Sequence, residues 1–155
     1  MKPPFPSYTQ EWHTDTYDAI NPSQPNLSLK GKKVVITGGG AGIGRAITQA
    51  FVLAGAGTIA ILGRRSSKLE ETKEAVEKSN SDVEITTHVV DVIDTEAVKR
   101  AAAEIGAWDV VVSCAGYLPE MVPVVDAEVN EWWRGWEVRP DPSISKPPDA
   151  DYVWR

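Results

Sequence analysis

The sequence has little of the chemistry that disulfides, metal sites and nucleic-acid surfaces require. It contains one cysteine, Cys114, which excludes a disulfide within the chain and favours a cytoplasmic location. Its histidines, His13 and His88, stand far from each other and from any cysteine or carboxylate cluster at metal-ligand spacing, so we expect no metal site. A net charge of -6 provides no cationic surface for phosphate backbones, and we expect no nucleic-acid partner.

A segment suited to a lipid bilayer is also missing. Residues 46–63 carry no charge, but Thr48, Gln49, Thr58 and the pair Gly55 and Gly57 interrupt their apolar character. A helix followed by a strand therefore explains this stretch better than a membrane span does. The first residues, MKPPFP, hold prolines where an export signal needs an apolar core. We expect no membrane partner and no export signal.

Regular periodicity is absent from both ends of the sequence. Residues 1–30 are polar and rich in proline, with scattered aromatic residues that we expect to pin an irregular N-terminal arm onto the body. Residues 139–155 contain Pro140, Pro142, Pro147 and Pro148 and show no period, so neither a helix nor a central strand is predicted there. The folded domain is therefore predicted at residues 31–138, between the arm and a proline-rich tail.

Apolar runs and helical stripes alternate within this domain. Short apolar runs at 34–36, 59–62 and 110–112 and an alternating pattern at 83–90 predict four strands, and each of the first three strands is followed by apolar residues at helical spacing. The order β-α-β-α-β-α-β is typical of an α/β fold with a Rossmann-like, doubly wound parallel sheet. We expect about four strands with helices on both faces.

Three tryptophans, Trp132, Trp133 and Trp136, follow at helical spacing. On an acidic chain, a stacking platform for bases is the weaker interpretation. We therefore predict a last short helix that buries the tryptophans in the core.

A glycine-rich turn joins the first predicted strand to the first helix, where residues 37–45 read TGGGAGIGR. Glycines in such a turn permit positive φ, let backbone N–H groups approach a pyrophosphate and let the helix pack closely on the strand. The pyrophosphate would lie at the positive end of the helix. Between a buried strand and an amphipathic helix, this turn predicts dinucleotide binding by Gly38, Gly42, Ile43 and Gly44 rather than a purely structural role.

The end of the second strand bears on the choice of cofactor. A carboxylate about 20 residues beyond the glycines would accept the ribose hydroxyls of NAD, whereas arginine there favours the 2′-phosphate of NADP. This sequence has Gly63, Arg64 and Arg65 at that point. Because a guanidinium can grip a phosphate in a fork, Arg64 predicts NADP(H), with NAD as the second choice. A solvated basic loop is the open alternative.

Three motifs together resemble a known family. TGxxxGIG at 37–44, Asp91 and Val92 after the third strand, and Ala115 and Gly116 after the fourth are similar to the N-terminal, cofactor-binding half of classical short-chain dehydrogenases/reductases. The resemblance covers roughly residues 28–138. It implies an NAD(P)-binding domain at 31–138, in which Asp91 hydrogen-bonds the adenine and the loop of Ala115 and Gly116 lies beside the cofactor ribose.

The sequence departs from this family in two places. Where the family has two asparagines before Ala115, this chain has Ser113 and Cys114, so two amide donors are lost. We interpret Cys114 as a small packing residue rather than a nucleophile. The catalytic serine and Tyr-x-x-x-Lys pair of the family are absent from the sequence, and no catalytic residue is predicted. A carbonyl reduction of that type needs a tyrosine acid whose pKa a nearby lysine lowers.

These patterns support two functional hypotheses. The first is the NADP(H)-binding portion of a short-chain dehydrogenase/reductase-type oxidoreductase, catalytically incomplete as it stands. The second is a non-catalytic interaction module that pairs through its exposed sheet edge with a full-length relative, as a homo- or hetero-oligomer. We expect residues 139–155 to be the product of a shifted reading frame, a retained intron or a premature end, since the family pattern stops at Val138.

Overall fold

The computed structural model describes residues 13–79 and 82–138, together with Pro6 and Tyr8. The predicted tail at 139–155, and Phe5 and Trp12 of the predicted arm, lie outside the described residues.

Strands and helices alternate along the described part of the chain. The strands are β1 (Lys33–Thr37), β2 (Thr58–Gly63), β3 (Glu84–Val89) and β4 (Val110–Ser113). The α-helices are α1 (Gly42–Leu53), α2 (Ser66–Ser79), α3 (Thr95–Ile105) and α4 (Val129–Glu137). Short 3-10 helices span Asp18–Ile20, Pro25–Leu27 and Val124–Asp126.

The four strands form one parallel sheet in the order β3-β2-β1-β4. Val35 at the centre of β1 pairs with Ala60 of β2 on one side and with Val111 of β4 on the other. The predicted Rossmann-like α/β fold is confirmed. Because all strands run in the same direction, the segments that follow β1, β2, β3 and β4 emerge at the same edge of the sheet.

Helices cover both faces of this sheet, as the alternating pattern predicts. On one face, Val52 of α1 and Leu69 and Val76 of α2 pack against alternate residues of the strands, such as Ile36 and Ile61. On the other face, Val98, Ala101 and Ile105 of α3 pack against the intervening residues Val35 and Ala60. The central strands are apolar at consecutive positions because both of their faces are buried.

The last residues of the predicted arm are attached to the body. The backbone N–H of Leu29 donates to the carbonyl of Ala54 over 2.8 Å, and Lys30 forms an isolated bridge with Ala56. The side chain of Leu29 packs against the core beneath α1 and α2. The segment that precedes β1 is thus fixed at the amino-terminal edge of the sheet.

The prediction that the tryptophans of α4 enter the core is wrong. Trp132, Trp133 and Trp136 are 44%, 54% and 43% exposed, and α4 has no buried residue. The rings instead contact one another, with centroids 5.5 Å apart for Trp132 and Trp136. The physical reason is that helical spacing places the rings on one side of α4, and the described residues cover that side only in part.

Residues 13–79 and 82–138 contain neither a candidate membrane-spanning helix nor a candidate metal site. No described helix has both the length and the apolar character needed to cross a bilayer. The same part of the chain contains no group of histidine, cysteine and acidic side chains that could hold a metal ion.

Candidate functional site

A cleft of about 380 Å³ opens at the carboxyl edge of the sheet. The turn after β1, the start of α2 and the loops after β3 and β4 supply its walls. It is lined by Gly38, Gly40, Ala41, Ile43, Gly44, Gly63, Arg64, Arg65, Lys68, Leu69, Val90, Asp91, Val92, Cys114, Ala115, Gly116 and Val138. Every residue predicted for cofactor binding, except Gly42, is in this set. Gly42 lies in the same turn, between two of the lining residues.

The turn after β1 can be built only with glycine at certain positions. Gly38 and Gly42 have φ values of +74° and +51°, which side chains with a Cβ rarely adopt. Gly44 needs its missing side chain for another reason, because a Cβ there would overlap the carbonyl of Gly38. Helix α1 therefore begins in direct contact with the end of β1, and its first turn faces the cleft.

The beginning of α1 lacks the groups that usually neutralise a helix N-terminus. Ala41 occupies the N-cap and has no side chain that can accept a hydrogen bond, and no acidic residue lies in the first turn. The first N–H groups of a helix have no partner within the helix and carry a partial positive charge. This end of α1 is thus suited to an anion in the cleft.

Side chains outside the cleft hold the glycine turn. Arg45 of α1 donates from Nη2 to the carbonyl of Gly40 over 2.9 Å and from Nε to Thr72 Oγ1 of α2 over 2.9 Å. Nη2 also lies 3.2 Å from Glu71 Oε2. Arg45 therefore links the turn to both α1 and α2. Sequence reasoning missed this role, although the arginine directly follows the glycine motif.

The loop after β4 is tied to β1 through a hydroxyl. Thr37, which is 2% exposed, accepts hydrogen bonds from the backbone N–H groups of Cys114 (3.1 Å) and Ala115 (3.0 Å). The family pattern led us to expect a loop that lost its amide donors at Ser113 and Cys114. The hydroxyl of Thr37 provides an anchor that this expectation did not include.

Charged side chains gather where β2 and β3 end. Arg64, whose side chain is 63% exposed, lies with Nη1 3.9 Å from Oδ2 of Asp91, so the predicted phosphate ligand and the predicted adenine ligand face each other. Lys68, a cleft residue that sequence reasoning did not select, contacts Glu71 at 2.8 Å. Its hydrogen bond, followed by that of Arg45, lowers the pKa of Glu71. These exposed pairs are weak enough for an anionic ligand to compete with them.

A second polar cluster joins the loop after β4 to α4. Tyr117 donates a hydrogen bond to Glu131, and Arg134 lies 2.8 Å from the same carboxylate and 5.7 Å from the centre of the tyrosine ring. The hydrogen bond to Glu131 raises the pKa of Tyr117, and those from Tyr117 and Arg134 lower the pKa of Glu131. Tyr117 is therefore held in its protonated form.

The fold and the glycine turn agree with comparisons to known proteins. The family model of the short chain dehydrogenases matches residues 32–139. The chain belongs to this family.

It is 39% identical over 134 residues to the short chain dehydrogenase pigC of Monascus ruber, covering 81% of this chain and 43% of that protein. It is 33% identical over 130 residues to the short chain dehydrogenase/reductase AacuD of Aspergillus aculeatus, covering 84% of this chain and 45% of that protein. The chain thus spans less than half the length of these two relatives.

Solved structures show the same relationship. L-Sorbose reductase from Gluconobacter frateurii, in complex with NADPH and L-sorbose, superposes with a TM-score of 0.65 at 29% identity over 72% of this chain and 43% of the reductase. An NAD+-bound xylitol dehydrogenase gives a TM-score of 0.64 at 28% identity, over 71% of this chain and 43% of that enzyme. Both nicotinamide cofactors therefore occur among the structural relatives of this chain.

The anchor formed by Thr37 leads to a stability prediction. Thr37→Val keeps the shape of the side chain but removes the acceptor for two backbone N–H groups, so we expect a loss of about 1–3 kcal/mol in the free energy of unfolding. Amide exchange at Cys114 and Ala115 should become faster. Urea unfolding and hydrogen exchange followed by mass spectrometry measure the two effects.

Thr58→Val is the matched control, because the hydroxyl of Thr58 makes only a 3.5 Å contact with Glu84. It should leave the exchange of Cys114 and Ala115 unchanged. Equal exchange in the two variants would contradict the role assigned to Thr37.

Proposed function

We propose that residues 31–138 bind a nicotinamide dinucleotide, with NADP(H) preferred to NAD(H), as the cofactor-binding portion of a short-chain dehydrogenase/reductase-type oxidoreductase. The observation that carries this proposal is the uncapped N-terminus of α1 at the cleft, next to a glycine turn that brings backbone close to any ligand. A cytoplasmic location is part of the same proposal and rests on the use of a single cysteine.

The pyrophosphate would bind at the start of α1. Gly42 has a positive φ, and an added Cβ there would point into open space, so the backbone leaves room for a ligand. Gly38, Ile43 and Gly44 line the cleft beside it. The N–H groups and the helix dipole would together stabilise the negative charge of the phosphates. The residues present thus fit this part of the cofactor.

Arg64 supports the preference for NADP(H). Among the cleft residues at the end of β2 there is no carboxylate, and Arg64, Arg65 and Lys68 are all basic. A guanidinium can bind the 2′-phosphate of NADP in a fork, whereas a carboxylate would repel it. The relatives include NADPH-bound and NAD+-bound proteins, so membership of the family does not itself select the cofactor.

The remaining cleft residues fit the adenosine and nicotinamide ends of the cofactor. Asp91 and Val92 follow β3 and line the cleft, and the family resemblance implies that the carboxylate of Asp91 hydrogen-bonds the adenine. Ala115 and Gly116 follow β4 and would lie beside the cofactor ribose. The anchor at Thr37 would keep this loop in position.

We further propose that residues 1–155 are catalytically incomplete as they stand. The sequence contains no Tyr-x-x-x-Lys pair that could deliver a proton as hydride reaches a carbonyl. Tyr117 is the tyrosine nearest the cleft loop in sequence, but its hydrogen bond to Glu131 raises its pKa. Because Met121 rather than lysine stands four residues after Tyr117, Tyr117 does not replace the missing pair.

Cofactor titration tests the preference. The full chain should bind NADPH more tightly than NADH, and Arg64→Glu should weaken NADPH binding by about tenfold or more, because the phosphate then meets a carboxylate. NADH affinity should change much less. Arg100→Glu on α3 is a matched charge reversal away from the cleft and should change neither affinity. Equal affinities in the unmodified chain, or an unaffected Arg64→Glu variant, would contradict the assignment.

Absorbance of the nicotinamide tests the proposed incompleteness. Folded protein, mixed with NADPH or NADP and a panel of carbonyls and alcohols, should show no turnover above background. Gly42→Asp, which places a negative charge where the pyrophosphate would bind, is the control for any signal. Reproducible turnover that this substitution abolishes would show that chemistry occurs at the cleft and would refute incompleteness.

A second candidate function is an interaction module that pairs with a full-length relative. The observation that favours it is an apolar surface on α4 and the loop before it, where Met121, Val125, Val129 and Trp133 are all exposed. Monomeric proteins rarely expose large contiguous apolar patches. The neighbouring strand β4 is also an edge of the described sheet and can accept a further strand.

Co-elution with a full-length short-chain dehydrogenase, repeated over a range of concentrations, tests this second function. Trp133→Glu should weaken the association, because it puts a charge into the apolar surface. Leu53→Glu, at an exposed leucine at the end of α1, is the matched control and should not. Separate elution at all concentrations would reject the interaction module.

A further inference from the structure

The carbonyl oxygen of Gly40 accepts hydrogen bonds from side chains of both α1 and α2. Arg45 Nη2 donates to it over 2.9 Å, and Thr72 Oγ1 lies 3.2 Å from it. Gly40 lines the cleft, whereas neither Arg45 nor Thr72 does. The carbonyl is thus directed towards side chains of α1 and α2.

Of these two contacts, the one from Arg45 is the stronger. The hydroxyl of Thr72 has one proton and lies 3.2 Å from the carbonyl of Gly40 and 3.0 Å from that of Lys68, so it can serve only one of them at a time. The guanidinium of Arg45 has separate N–H groups for Gly40 and for Thr72. A charged donor also forms a stronger hydrogen bond than a neutral one.

Arg45 is itself held in place from the side of α2. Its Nε bonds to Thr72, which is fully buried, and its Nη2 lies 3.2 Å from the carboxylate of Glu71. The guanidinium therefore has little freedom to leave Gly40. A peptide group that is held by its oxygen cannot rotate to point that oxygen at the cleft.

We propose that Arg45 is a positioning residue, which keeps the Gly40 carbonyl out of the cleft so that the turn offers N–H groups, and no carbonyl oxygen, to the cofactor pyrophosphate. This inference rests on the proposed dinucleotide-binding function. A carbonyl oxygen turned towards the phosphates would repel them, and removal of Arg45 allows that rotation. In the proposed binding mode, the 2′-phosphate and the adenine would lie at the ends of β2 and β3, where Arg64 and Asp91 line the cleft, rather than at this peptide.

The test compares a ligand that has the pyrophosphate with one that lacks it. In the full chain, Arg45→Met should weaken NADPH binding by about tenfold, as expected for the loss of a charged hydrogen bond that orients the site. The same substitution should change the affinity for adenosine 2′-monophosphate by less than about threefold, because this ligand lacks the pyrophosphate. Arg45→Lys, which retains one charged donor, should recover part of the loss. Arg100→Met on α3 is the matched control and should affect neither ligand. If NADH binds more tightly than NADPH, NADH and adenosine are the corresponding pair.

A purely structural role gives a different result. It would weaken both ligands by the same factor as the folded fraction falls, and lysine would not recover NADPH binding selectively. That result, or unchanged NADPH binding in Arg45→Met, overturns the proposal. If Arg45→Met does not fold, Thr72→Val provides a second variant. A loss of NADPH affinity that is smaller than about tenfold, with adenosine 2′-monophosphate affinity unchanged, supports the positioning of Gly40. An equal loss of affinity for both ligands opposes it.

Failure of the proposed function has its own signature. If the unmodified chain is folded but binds neither the dinucleotide nor its fragment, the dinucleotide site is refuted, and the role of Arg45 falls with it. If the unmodified chain binds both and the variants fail to separate them, only the role of Arg45 is refuted.

Discussion

The close approach of α1 to the end of β1 is the constraint on which the rest of the site depends. A side chain at residue 44 would overlap the carbonyl of Gly38, so only glycine lets the helix begin where it does. This contact aims the uncapped N-terminus of α1 at the carboxyl edge of the sheet, where the loops after the other strands also emerge. Without that approach the N–H groups would not face the cleft, and the basic residues at the end of β2 would surround an ordinary surface groove.

Polar side chains behind the cleft determine its shape as much as the residues that line it. Thr37 holds the loop after β4, and Arg45 holds the turn after β1. Both side chains bind backbone groups that would otherwise be free to rotate. Because backbone N–H and carbonyl groups have opposite effects on an anion, the orientation of a single peptide can decide whether a glycine turn attracts phosphate or repels it.

The opposite end of the described chain shows what happens when the described residues cover the apolar side of a helix only in part. Helix α4 has its tryptophans on one side, as the spacing requires, yet the described residues cover that side only in part and the rings stay about half exposed. Periodicity states which residues share a face. Burial of that face depends on a second surface, and the pattern of α4 carries no information about whether one is present.

The sequence by itself determined the order of strands and helices, the parallel sheet and the glycine turn, because each of these depends on residues that are neighbours along the chain. The arginine pattern after the second strand identified Arg64, the resemblance to the family identified Asp91 and Ala115, and the structure brings all three to one cleft. Only the tertiary structure decided that Arg45 bonds to both the Gly40 carbonyl and Thr72 of α2. It also decided that Thr37 anchors the loop of Cys114 and Ala115, and that Arg64 faces Asp91. Most of these contacts join segments tens of residues apart, and they arise from the packing of helices on the sheet, which local sequence patterns do not encode.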